Sequence, residues 1–294
     1  MPTRRPALSS HDRIIPPLPD VLLEPIVRLA LAEDLGSAGD VTTDALIDPE
    51  AQGRWAVVAR RPGVIAGLDA AMLAAWLIDT DLEFAIAAGD GARVSGGQTV
   101  LQIAGSARSM LMAERTMLNF LGHLSGIATL TRQYVDAVSG MGATIACTRK
   151  TTPGLRALEK RAVRLGGGGA HRYGLHDAIL IKDNHVAAAG GIGAALERAR
   201  GSSNHLCAIE IEVDSLEQLK QALPFAPNVV MLDNFSIADL KTAVKLANGK
   251  VMLEASGGIT LENVFAVAET GVDVISIGAL THSAPSLDLG LDVL

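Results

Sequence analysis

The sequence predicts an α/β protein: an N-terminal α+β sandwich domain followed by an incomplete parallel α/β barrel of about six strands. Three observations carry this reading. The second half of the 294-residue chain alternates short apolar runs with helical segments, as a parallel sheet requires. The runs are almost continuously aliphatic, as strands covered on both faces must be. Each ends in polar or glycine residues, and α/β barrels gather their functional groups at the C-terminal ends of successive strands. An open doubly wound sheet gathers function at the same ends and stays the structural competitor.

The elements follow in order. Residues 1–20, MPTRRPALSSHDRIIPPLPD, hold five of the twelve prolines and no continuous apolar stretch. They show no secretory signal, and residues 1–19 read as a flexible or loosely docked lead-in. Leu22, Leu23, Ile26, Val27, Ala30 and Leu31 recur at helical spacing, predicting a helix over 21–34 that Gly36 ends. A turn at Gly39-Asp40 follows. Residues 52–104 read mainly as strands, with runs at 54–59 and 98–103, turns at 89–91 and 96–97, and a helix over 69–78. Residues 109–138 are helical, and Gly122 and Gly126 are expected to divide them into two helices.

The six apolar runs of the second half are 144–148, 178–181, 208–211, 229–232, 251–253 and 274–277. Helices are expected at 215–223, 236–247 and 260–270, each starting with a hydroxyl N-cap. Six strands are too few for an eight-unit barrel, which typically takes ~250 residues. The domains are therefore set at 20–127 for the sandwich and 128–284 for the barrel. Residues 285–294 form a last segment.

Composition narrows the function. With 49% hydrophobic residues the chain can fill a large core, mainly aliphatic because only nine aromatics are present. The formal net charge of −7 argues against a nucleic-acid backbone as partner. Two cysteines, Cys147 and Cys207, exclude a disulfide framework and a four-thiolate metal site, and fit reduced thiols in a cytoplasmic protein. The longest apolar stretch, 64–78, is interrupted by Asp69, so no membrane span is expected.

Charge is unevenly placed. Residues 149–185 carry eight basic and three acidic side chains, a balance of +5 within a remainder of −12. Three of the seven histidines, His171, His176 and His185, lie there as well. Arg156, Lys160, Arg161 and Arg164 have the spacing of a solvated helix face. Arg149, Lys150 and Lys182 instead stand at ends of buried strands, where cations need anionic partners. The tetraglycine at 166–169 fits a mobile loop or a close backbone approach. Ser256-Gly257-Gly258, and Ser276 with Gly278, can aim backbone amides at a phosphate. Glu212, Asp233 and Glu254 line successive strand ends, where carboxylates can hold Mg²⁺ through water or bind sugar hydroxyls. The residues thus favour a phosphate-bearing polyanion. That leaves lyases, isomerases and glycosyl or phosphoribosyl transferases open.

The run TRKTTPGLRALEKRAVRLGGGGAHRYGLHDAILIKDNH at 148–185 resembles the signature segment of the quinolinate phosphoribosyltransferase family. So do ERTMLNFLGHLSGIAT at 114–129, IEIEVDS at 209–215, VMLDNF at 230–235, LEASGGI at 253–259 and ISIGALTHS at 275–283. The resemblance spans about residues 20–294 in the family's order. It implies a decarboxylating pentosyl transfer from phosphoribosyl pyrophosphate to quinolinate in de novo NAD biosynthesis. The products are nicotinate mononucleotide, pyrophosphate and CO₂, and the cofactor is Mg²⁺. It implies a homodimer with active sites shared across the interface, and a C-terminal segment that returns to the N-terminal domain.

Residue by residue, the resemblance assigns quinolinate to Arg115 of the neighbouring subunit, Thr148, Arg149, Lys150, His171 and Arg172. Lys182, Glu212 and Asp233 face the phosphoribosyl pyrophosphate, and Glu212 and Asp233 also hold Mg²⁺. The phosphate falls to Ser256, Gly257, Gly258, Ser276, Ile277, Gly278 and His282. Lys150, Lys182, Glu212 and Asp233 form the catalytic set. A non-catalytic sensor of phosphorylated metabolites, and a barrel lyase using Lys182 as a Schiff base, are the alternatives from other classes.

Overall fold

The structure, a computed structural model, describes residues 15–294. Residues 1–14 of the expected lead-in lie outside the described residues. The described chain divides into two compact units. One holds residues up to 132 together with 151–167 and 280–294. The other holds 133–150 and 168–279.

In the first unit, α1 (Asp20–Leu35) buries Leu23, Val27 and Leu31, one residue per turn along a single stripe. Gly36 closes it with a φ of 53°. A short helix that the apolar pattern missed follows, α2 (Val41–Leu46). Its N-cap is Asp40, whose carboxylate accepts the amides of Thr42 and Thr43. β1 (Gln52–Ala59), β2 (Gly63–Val64), α3 (Leu68–Ile78), β3 (Glu83–Ile86), β4 (Arg93–Val94) and β5 (Thr99–Ser106) come next. The last strand of the chain, β12 (Leu289–Val293), pairs antiparallel with β1, giving a four-stranded sheet ordered β12-β1-β5-β3. Alanines 70, 71, 74 and 75 of α3 are fully buried, as are Leu101 and Val57 of the strands.

Residues 107–137 form one continuous helix, α4 (Ala107–Ala137), where two were expected. Gly122 and Gly126 do not break it. They clear a path for the chain near its C-terminus. A Cβ on Gly122 would lie 3.1 Å from the Leu287 carbonyl oxygen, and one on Gly126 would overlap that of Pro285. Leu287 N–H donates to Gly122 O at 2.9 Å.

The basic helix α5 (Arg156–Leu165) also departs from expectation, because it is not a solvated face. Lys160 is 0% exposed and Arg161 7%. Arg161 Nη1 lies 2.7 Å from Asp90 and 3.4 Å from Asp69. Glu159 accepts Thr152 N–H at 3.1 Å and meets His123 Nε2 at 2.9 Å. Acids far away in sequence answer the Arg161 charge, so periodicity alone could not show its burial.

The second unit is a six-stranded parallel sheet. Its strands are β6 (Thr144–Ala146), β7 (Ile179–Ile181), β8 (Ile209–Val213), β9 (Val229–Asp233), β10 (Met252–Ser256) and β11 (Val274–Ser276). The order is β6-β11-β10-β9-β8-β7, so the first strand pairs with the last. β6 and β7 remain the two edges, and the barrel is incomplete. Gly169 bridges Ala146 beside the β6 edge.

Helices α6 (Asp183–Ala189), α7 (Ile192–Ser202), α8 (Leu216–Ala222), α9 (Ile237–Ala247) and α10 (Val264–Ala268) connect the strands, and α11 (Ala279–His282) follows β11. Ser215 and Ser236 cap α8 and α9 as expected. α10 is shorter than the predicted 260–270 helix. Its N-cap position is Asn263, whose Oδ1 accepts Thr260 N–H at 2.9 Å.

Gly126→Ala tests the close approach on α4. Helix propensity alone would favour alanine by about 1 kcal/mol. The overlap with Pro285 should instead lower stability by about 1–3 kcal/mol in chemical denaturation. Unchanged or raised stability would contradict the packing described.

Candidate active site

Strand periodicity builds the site. Side chains two apart on a strand share a face, and the register aligns Glu212 with Met231 and Asp233 with Ser256. The result is a cavity of about 430 Å³ at the C-terminal strand ends, within the size of small-molecule sites. Its lining includes Lys182, Glu212, Met231, Asp233, Ser256 and Ser276 from the strand ends. Thr148, Arg149 and Lys150, which follow β6, and His171 and Arg172, which follow the tetraglycine, complete the polar part. Ten of the sequence-predicted site residues therefore meet in one place.

The cations differ in setting. Arg149, Lys150 and Lys182 are exposed, although the strands they follow are largely buried. The strands are short enough that these residues lie past the sheet. Lys182 Nζ pairs with Glu212 Oε2 at 2.9 Å. Thr148 Oγ1 accepts Lys150 N–H at 3.1 Å and tightens that turn.

Arg172 is different. Its Nη1 donates to the Ala178 carbonyl at 3.2 Å, while its Nε is buried with no hydrogen-bond partner among the described residues. Burial, and then the neighbouring Arg149 charge, lower its pKa. Guanidinium stays charged all the same, so the orphaned N–H points to an anionic ligand.

Asp233 and Glu212 fit a divalent cation. Burial, and then the Glu212 charge, raise the Asp233 pKa, and a shared cation relieves that repulsion. Two carboxylates leave most positions to water and substrate, as Mg²⁺ prefers. Asp233 Oδ2 also accepts from Asn234 Nδ2 at 2.7 Å.

Other expectations need correction. Glu254 is no cavity-lining strand-end acid. It sits one layer deeper, 5% exposed. Ile277 is buried, and its N–H is taken by Ala146 O at 2.9 Å, leaving no amide there for phosphate. Gly257 and Gly258 line a neighbouring hollow with Asn234 and Asn263. Their φ values of 92° and 61° suit glycine. Gly278 is not among the cavity's lining residues. Neither is His282, whose Nδ1 lies 2.6 Å from Ser283 Oγ. Arg115, expected to act in the neighbouring subunit's site, is exposed on α4 in the first unit.

A deeper cluster escaped the sequence reading. His171 Nε2 lies 3.0 Å from Glu210 Oε2 and 3.7 Å from Glu254 Oε1. The three side chains offer atoms within 4.8 Å of one another. The signal was present in IEIEV: Glu210 and Glu212 are two apart and must share a face of the strand.

This incomplete barrel, its mouth lined by cations and carboxylates, has the architecture of an α/β transferase. The chain belongs to the quinolinate phosphoribosyltransferase family: the family's N-terminal domain matches residues 40–125 and its C-terminal domain residues 127–292. A nicotinate-nucleotide pyrophosphorylase [carboxylating] from Mycobacterium leprae is 48% identical over 277 residues, 91% of this chain and 95% of that protein. A mitochondrial quinolinate phosphoribosyltransferase [decarboxylating] from Nicotiana tabacum is 40% identical, covering 99% of this chain and 88% of its own. The solved nicotinate-nucleotide pyrophosphorylase from Francisella tularensis superposes with a TM-score of 0.91 at 39% identity, over 95% of this chain and 99% of that one.

Burial, and then the Glu210 charge, push the Glu254 pKa up to about 7 from 4.5. Below 4.5 the group is protonated both folded and unfolded. Between these values the folded protein keeps a proton that the unfolded chain releases, so stability falls as pH rises through that window. At about 1.4 kcal/mol per pK unit the loss reaches about 3 kcal/mol. Urea denaturation at pH 5 and pH 8 should show this slope in the wild type and a flatter one in Glu254→Gln. Equal slopes would contradict it.

Proposed function

We infer that the chain transfers a phosphoribosyl group from phosphoribosyl pyrophosphate to quinolinate and releases CO₂, giving nicotinate mononucleotide and pyrophosphate for NAD biosynthesis. The observation that carries this reading is the half-buried, partly unsatisfied Arg172 beside Arg149 in a mouth ringed by Lys150, Lys182, Glu212 and Asp233. Quinolinate has two carboxylates, and arginine forks bind carboxylates in bidentate fashion.

Arg172 and Arg149 hold the dicarboxylate and orient the pyridine nitrogen. The nitrogen attacks the anomeric carbon as the bond to pyrophosphate breaks. Lys150 and Lys182 face the phosphoryl oxygens, and Ser256 and Ser276 bound the side of the mouth next to the glycine loop. Glu212 and Asp233 face the ribose hydroxyls and hold Mg²⁺, which when bound neutralises charge on the leaving pyrophosphate. After transfer, the pyridinium ring accepts the electron pair left by the departing CO₂, and that carbon then takes a proton. No covalent nucleophile is needed. The work is positioning and electrostatic stabilisation. The Lys182–Glu212 ion pair weighs against Lys182 as a Schiff-base amine.

The protein works as a homodimer in the cytoplasm, with Arg115 of one subunit completing the partner's site. Family membership and the exposure of Arg115 support this reading.

Purified protein with quinolinate, phosphoribosyl pyrophosphate and Mg²⁺ should release pyrophosphate and CO₂ in equal amounts. Nicotinate in place of quinolinate should give little product. Turnover of nicotinate, or none with quinolinate, would overturn the assignment. Mixing Arg115→Ala with Lys182→Ala protein, each inactive alone, should restore up to about a quarter of wild-type activity through hybrid dimers. No recovery after verified subunit exchange would remove Arg115 from the shared site.

A further inference from the structure

The imidazole of His171 has protein partners at both nitrogens. On one side the backbone N–H of Arg172 donates to Nδ1 at 2.8 Å. A nitrogen that accepts a hydrogen bond carries no proton, so the ring hydrogen is on Nε2. On the other side Nε2 lies 3.0 Å from Glu210 Oε2, within hydrogen-bond distance. Glu210 is itself only 7% exposed, so the carboxylate that fixes the ring cannot be replaced by solvent. Glu254, from the next strand but one, closes the far side at 3.7 Å. An imidazolium in the same pose would aim an N–H at the Arg172 N–H.

The geometry points to His171 as a positioning residue: held as the neutral Nε2–H tautomer between Glu210 and the Arg172 amide, it fixes Arg172 and does not itself bind the dicarboxylate. This differs from the direct substrate contact that the family resemblance implies for His171. It extends the line of support one layer below the mouth. Glu210, from β8, orients the ring, and the ring orients the backbone that presents the Arg172 guanidinium. The charged groups facing this line are Glu210 and Glu254 beneath, with Arg149 and Asp177 around Arg172.

The role in substrate capture rests on the proposed reaction; the tautomer does not. ¹⁵N NMR of the full-length, histidine-labelled protein without substrate decides the tautomer, with the His171 signals assigned by their loss in His171→Asn. The expected result at neutral pH is a protonated Nε2 and a bare Nδ1. A protonated Nδ1, alone or as imidazolium, or an Nε2 without its proton, would overturn the proposal whether or not the protein turns over quinolinate.

Kinetics then tests the positioning. Glu210→Ala should raise the KM for quinolinate by about tenfold, the size of one buried hydrogen bond. The KM for phosphoribosyl pyrophosphate should change far less. Glu210→Gln keeps an acceptor for Nε2–H and should recover most of the loss. Equal effects on both substrates, no effect of Glu210→Ala, or no rescue by Gln would each contradict the role.

Discussion

A guanidinium that stays charged and has a buried N–H without a partner among the described residues is the feature around which this site is organised. Arg172 cannot discharge itself by losing a proton, so its burial leaves a demand for negative charge. Arg149 sharpens that demand by repelling it. Within the chain the demand is only partly answered: Ala178 takes one N–H, and Glu210 lies a layer below. In the proposed reaction a planar dicarboxylate answers the rest. The preference for such a ligand thus comes from an unsatisfied cation more than from ring stacking, for which so aliphatic a chain has few groups.

The parallel sheet makes this arrangement possible. Two-residue periodicity sorts the inward-facing polar groups into two layers. The upper one, with Glu212, Asp233 and Ser256, reaches the cavity. The lower one, with Glu210 and Glu254, is buried and engages His171. The upper layer is charged and wet, suited to phosphates and a divalent cation. The lower layer is dry, and there a carboxyl group keeps its proton up to about pH 7. The same strands therefore supply both the binding surface and the support beneath it.

Much of this was legible in the sequence. All six parallel strands fall close to their predicted runs, because strands buried on both faces leave an aliphatic signature that glycines and charges punctuate. The mouth residues were legible because strand-end charges are conspicuous against that background. What escaped depended on neighbours distant in sequence. Gly122 and Gly126 read as helix breaks, yet their missing side chains admit residues 285–287. Lys160 and Arg161 read as solvated, yet Asp69 and Asp90 take in the Arg161 charge. Glu210 was hidden in an apolar run whose alternation nonetheless placed it on the same face as Glu212. Ile277 lost its expected role because a strand partner uses its amide.

In the proposed reaction Arg172 is the seat of the dicarboxylate. Titration calorimetry of wild type and Arg172→Ala, with quinolinate and with phosphoribosyl pyrophosphate separately, tests it most directly. Quinolinate binding should weaken at least about 30-fold, about 2 kcal/mol for a charged hydrogen-bonded contact. Phosphoribosyl pyrophosphate binding should change by no more than about threefold, within the spread of an indirect effect. Equal losses for the two ligands, or unchanged quinolinate affinity in a folded variant, would contradict it.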